Sequence, residues 1–243
     1  MLEGLGALAD DSSANQVSYL DAAKARELSK GDQKRIGSIG QPGSALIGYT
    51  PGPWGEALKV TQIDTAVDTK SAGRWEGSFD AAAITTSLKS NGYKQSGDGE
   101  TWTDSGSKGM SFKISNDEIS YTVHGDTSMA AVTPKDGASL ADRKEYQRVA
   151  ECLGDVYRAD FLPLTSAKPV RLSALGQQAA SAAKNTEILC LVAKDEATAD
   201  RAAAKLRSVV ADMSPTFDGT KVTVDKGDQP VVRAALARRD PAR

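Results

Sequence analysis

The chain reads as an α+β fold: antiparallel sheet with helices packed on one face, arranged as two similar helix-on-sheet modules. Three observations predict this. Short apolar–polar segments between residues 93 and 123 are broken by the turn sequences Ser96-Gly-Asp-Gly99 and Ser115-Asn-Asp117, the pattern of an antiparallel meander. Two helical patterns open on an aspartate that follows a strand pattern, at Asp80 and at Asp195. The order helix, loop, strand, strand, aspartate-capped helix, polar turn, strands occurs twice, with little sequence likeness between the two halves.

In chain order, residues 1–15 are rich in Gly, Ala, Asp and Ser and read as a frayed N-terminus. The first module spans 16–136 and the second 137–243, either as separate lobes or sharing one core. Ser18 and Asp21 have the spacing of a helix cap, so a helix is predicted over 17–28. A Gly- and Pro-rich loop fills 37–55. Strands follow over 58–69 and 74–79, then a helix over 81–90 stopped by Asn91-Gly92. Strands at 93–95, 101–103, 109–114 and 118–123 make the meander. Ser139 opens the best helical pattern, with Tyr146, Val149, Ala150, Leu153 and Tyr157 on one stripe. A short strand at 170–172 and an Ala-rich helix over 175–184 come next.

The clearest strand-then-helix unit is residues 187–210. Ile188 to Ala193 carry no charge, as in a strand covered on both faces. Asp195 caps the helix behind it, and Ala199, Ala202, Leu206 and Val209 form its apolar stripe. Strands at 220–224 and 231–236 close the chain.

Composition bounds the function. The 243 residues suffice for one large domain or two small ones, and aromatic residues are only 5% of them, so the core is mostly aliphatic. Thirty Lys and Arg against 32 Asp and Glu leave a formal charge of -2, which gives no polyanion-binding surface and no expectation of nucleic acid as partner. The basic terminus from Arg233 to Arg243 reads as a solvated end. No run approaches the roughly 18 apolar residues of a membrane span. Residues 1–4 lack the features of a signal peptide, and a targeting segment or lipid anchor outside the given residues remains open.

Catalytic constellations are sparse. His124 is the lone histidine and reads as a strand-end surface residue. No G-x-S-x-G, P-loop or zinc-ligand spacing occurs. Gly4-Leu-Gly6-Ala-Leu-Ala9 resembles a dinucleotide fingerprint but has no strand before it to aim a pyrophosphate. The acidic turns at Asp98, Glu100 and Asp104, and at Asp218, Asp225 and Asp228, depart from calcium-loop spacing. No cofactor, metal or catalytic residue is expected.

Two features remain. Cys152 lies in a helical pattern and Cys190 in a strand, and a helix packed on a sheet brings such a pair within bridging distance, so a disulfide is a candidate beside two buried thiols. In the 37–55 loop, Tyr49 and Trp54 are candidate anchors for a partner, the alternative being a loop that plugs the core with Ile47 and Trp54. One histidine, two cysteines and much Ala, Ser, Thr, Asp and Gly resemble the mature part of exported bacterial proteins and lipoproteins. The leading expectation is a non-catalytic extracytoplasmic binding or interaction protein with a protein or small-molecule partner. The alternatives are an envelope hydrolase working through carboxylates and a cytosolic structural subunit.

Overall fold

The computed structural model describes residues 1–11, 14–30, 52–104, 109–123, 127–164, 168–181, 184–213, 217 and 219–236. The fold is α+β with antiparallel sheet and helices. The chain divides into two compact units, Glu3–Leu140 and Ala141–Arg243.

In the first unit, helix α1 (Leu2–Gly6) precedes strand β1 (Val17–Asp21), helix α2 (Ala22–Ser29) and strands β2 (Ile63–Thr69) and β3 (Ala72–Gly77). Helix α3 (Ala81–Ser90) is followed by β4 (Tyr93–Gln95), β5 (Thr101–Asp104), β6 (Ser111–Ile114) and β7 (Glu118–Thr122). The strand order is β1-β2-β3-β7-β6-β5-β4, with antiparallel pairing throughout. Register places Ala66, Trp75 and Ile119 side by side, and likewise Asp68 and Gly73, Gly73 and Tyr121, and Tyr121 and Phe112. One face of this sheet is therefore aromatic. Trp75 and Tyr121 meet edge-on at 5.3 Å, and Tyr93 lies 5.7 Å from Phe112. Helix α3 buries Ile84 and Leu88 and holds Lys89 over the Trp102 ring.

The second unit runs α4 (Lys144–Leu153), β8 (Arg158–Pro163), β9 (Val170–Ser181), β10 (Lys184–Ala193), α5 (Glu196–Asp212), β11 (Lys221–Asp225) and β12 (Val231–Leu236). Its order is β8-β9-β10-β12-β11, again antiparallel. Each unit thus contains a three-strand meander, an aspartate-capped helix and a hairpin whose last strand returns beside the third. The first unit inserts β4 and β5 before that hairpin.

Alternation along β10 assigns the helices of the second unit to faces. Cys190 shares its row with Phe161, Ala174 and Arg233, the face on which α4 lies. Tyr146 of α4 stacks on Phe161 there at 5.6 Å. Leu191, Ala193 and Val232 point the other way and pack on Ala199, Ala203 and Leu206 of α5. Both faces of β10 are covered, so this unit's helices are divided between its faces and not gathered on one.

Local structure departs from the sequence pattern at several places. Residues Leu2–Gly6 form α1 with Leu5 buried, and the helix expected from Ser139 begins at Lys144 after a 3₁₀ turn over Leu140–Asp142. Residues 17–28 split into β1 and α2, because the β-prone Val17-Ser-Tyr-Leu20 pairs with β2 and Asp21 caps the helix by accepting from the Lys24 amide at 2.8 Å. The first part of the 58–69 segment is a 3₁₀ turn, Val60–Gln62, and β2 begins at Ile63. Helix α4 stops at Leu153, since Gly154 takes φ +67°, and Tyr157 instead donates to Gln177 O at the start of β8. The Ala-rich segment from 175 continues β9. Leu172, Ala174 and Gly176 are buried alternately, and pairing on both sides overrides helix propensity. Gly176 is needed there: a Cβ would sit 2.8 Å from side-chain atoms of Leu153 and of Val156.

Candidate functional site

The disulfide fixes the geometry of the second unit. Cys152, in the last turn of α4, is bonded to Cys190 on the central strand, with the Cα atoms 6.2 Å apart. Arg233, beside Cys190 on β12, donates from Nε to the Cys152 carbonyl at 3.0 Å, which satisfies one of the carbonyls left open at the helix end. Helix α4 is thereby anchored over β9, β10 and the adjoining part of β12, and the side toward β11 and the β11–β12 turn stays open.

That open side is a cleft. Its wall is the polar stripe of α4, with Lys144, Gln147, Arg148 and Glu151 at positions i, i+3, i+4 and i+7. Its rim is the turn from Asp225 to Gln229 between β11 and β12. The cleft holds about 460 Å³, and a neighbouring hollow of about 250 Å³ continues it over Thr223, Val231 and Arg233 to Cys152. Small-molecule sites span about 300–1,000 Å³.

Arg148 braces the cleft. Its guanidinium donates to Asp225 at 2.7 Å, to Glu151 at 2.6 Å and to the Gln229 carbonyl at 3.2 Å. Asp225 first and Glu151 second hold its pKa above the usual arginine value. The two carboxylates are joined through one guanidinium, the arrangement of a strut between helix and turn and not of an acid–base pair. Lys226 turns toward α5, 3.5 Å from Glu196 and 3.6 Å from Asp200. Oε1 of Gln229 is buried and has no hydrogen-bond partner among the described residues.

The first unit contributes one buried polar cluster. Asp68 is 3% exposed and accepts from Nε1 of Trp75 at 2.9 Å and from the Tyr121 hydroxyl. Gly73 opposite makes room for it: a Cβ there would collide with Asp68 Oδ1 and the Tyr121 ring. The cluster faces the interior and offers no opening.

Trp54 is buried against Phe112, edge-on at 5.9 Å, and the adjacent Pro53 carbonyl accepts from Ser87 and Asn91 at the end of α3. Tyr49, Ile47, His124 and Asp218 lie outside the described residues. In the other acidic turn, the Asp98 carboxylate is occupied by Ser96, Glu100 and Thr101, while Glu100 pairs with Lys113 at 2.9 Å. Among the described residues no group of three or more His, Cys, Asp or Glu side chains is placed to hold a metal ion. No helix among them is long and apolar enough to cross a membrane.

Sequence reasoning singled out neither Arg148 nor Gln229. The polar stripe of α4 was visible as the complement of its buried stripe. Its meeting with the Asp225–Gln229 turn follows only from the placement of β12 beside β10.

No protein-family model and no curated protein sequence matches the chain. A solved structure titled "Structure of crystal form I of TP0453" is similar to it at 12% identity over 98% of this chain and 92% of that one, with a TM-score of 0.48.

Proposed function

We propose that the chain is a non-catalytic binding or interaction protein that works outside the cytoplasm, as the soluble part of a bacterial envelope lipoprotein. The observation that carries this reading is the Cys152–Cys190 bridge, because disulfides form and persist in oxidising compartments and are rare in reducing ones. The cleft beside α4 supports a binding role, since its charged side chains brace one another and leave an open, polar-lined hollow. The two units are read as copies of one helix-on-sheet module, on the strength of their shared strand order.

The test is alkylation of the freshly isolated protein, with and without prior reduction, followed by mass spectrometry. A bridged Cys152–Cys190 pair in the unreduced sample is the expected result. Two thiols that alkylate without reduction would overturn the extracytoplasmic reading.

A further inference from the structure

We infer that the cleft between α4 and the β11–β12 turn binds a small zwitterion of the amino-acid or short-peptide class, an inference that rests on the binding role proposed above. The charges lining the cleft carry it. Three cations, Lys144, Arg148 and Lys226, face three anions, Glu151, Asp225 and Asp228. Arg148 is committed to Glu151 and Asp225. Lys226 is drawn away to Glu196 and Asp200 on α5. What is left between α4 and the turn is one charge of each sign, Arg233 lying at the far end of the neighbouring hollow, where it donates to the Cys152 carbonyl. Lys144 sits at the start of α4 and Asp228 on the turn at the rim, and neither has an ion pair among the described residues.

A lone anion attracted by Lys144 enters a cleft that also holds the Asp228 carboxylate. A lone cation attracted by Asp228 meets the Lys144 ammonium. A molecule with a carboxylate at one end and an ammonium at the other satisfies both, through charge-assisted hydrogen bonds of the stronger kind. The volume of about 460 Å³ is within the range of small-molecule sites.

The probe is the dipeptide Ala-Ala, titrated into the intact, oxidised, ¹⁵N-labelled chain and followed by NMR. The controls are N-acetyl-Ala-Ala, which lacks the ammonium, and Ala-Ala amide, which lacks the carboxylate. The free dipeptide is expected to give saturable shifts at the amides of 144–151 and 225–231. Each blocked form is expected to bind at least tenfold more weakly. Lys144→Gln is expected to weaken the free dipeptide about tenfold while leaving the amide unchanged, and Asp228→Asn is expected to do the same while leaving the N-acetyl form unchanged. Both side chains are exposed, so melting temperatures should not move, which separates lost binding from lost fold.

Absence of a saturable shift at millimolar dipeptide would overturn the inference. So would binding indifferent to blocking of either end, or indifferent to both substitutions. These outcomes are independent of the thiol measurement, so a failed titration beside an intact bridge rejects the ligand and leaves the extracytoplasmic reading standing.

Discussion

At the scale of single residues, Asp68 is a buried carboxylate of the first unit whose tolerance depends on its hydrogen bonds. A buried polar group is tolerated when its hydrogen bonds are made, and Trp75 and Tyr121 both donate to this one. Trp75→Phe keeps most of the ring and removes one donor. It should cost about 1–3 kcal/mol in urea unfolding, with the slope against urea unchanged. Gly73→Ala should be at least as damaging, because the added methyl has no room beside Asp68 and Tyr121. Asp98 makes a different prediction. The Ser96 hydroxyl, then the amides of Thr101 and Glu100 and the Thr101 hydroxyl, hold its carboxyl well below the usual carboxylate range. A depressed folded pKa means that the contribution to stability is present above the ordinary value of about 3.9 and is lost as pH falls beneath it. A side-chain NMR titration should find Asp98 still ionised at about pH 3, where an ordinary aspartate is mostly protonated. Ser96→Ala should move that titration upward.

At the scale of elements, the helix starts capped by Asp80 and Asp195 were legible, because a cap is a local interaction, whereas α1 and the start of α4 at Lys144, which has no side-chain cap, were not. Asp80 and Asp195 accept from the amides of Ala83 and Thr198, three residues on in each case. Asp80→Ala should therefore cost about 1 kcal/mol in thermal or urea unfolding, and Asp80→Asn much less. The meander from Tyr93 to Thr122 was legible for the same reason, since its turns carry their own chemistry. The failures share a cause. Val17-Ser-Tyr-Leu20 and the Ala-rich end of β9 have no local instruction strong enough to choose strand over helix. Their choice is made by β2 in one case and by β8 and β10 in the other, partners that a local pattern does not see. The candidate site fared likewise. Cys152 and Cys190 are two residues in separate regular elements, and their pairing was a geometric expectation. The Arg148 brace joins a helix to a turn far along the chain, which no local pattern records.

At the scale of the molecule, the bridge is the one covalent tie between distant parts of the chain. It closes a segment of 38 residues, and the loop-entropy relation puts its contribution at about 4 kcal/mol. Reduction should lower the melting temperature followed by calorimetry, with the oxidised chain as reference. The same tie has a mechanical consequence. If the chain is pulled from its ends, tension passes from residue 152 to residue 190 through the sulfur atoms, and β8, β9 and most of β10 carry no load. Forced unfolding of the oxidised second unit should release a contour length shorter than that of the reduced one by about 38 residues of extended chain, roughly 130 Å. Under strain the oxidised chain would yield by giving up its C-terminal helix and hairpin and keep a looped remnant that reducing agent alone can open.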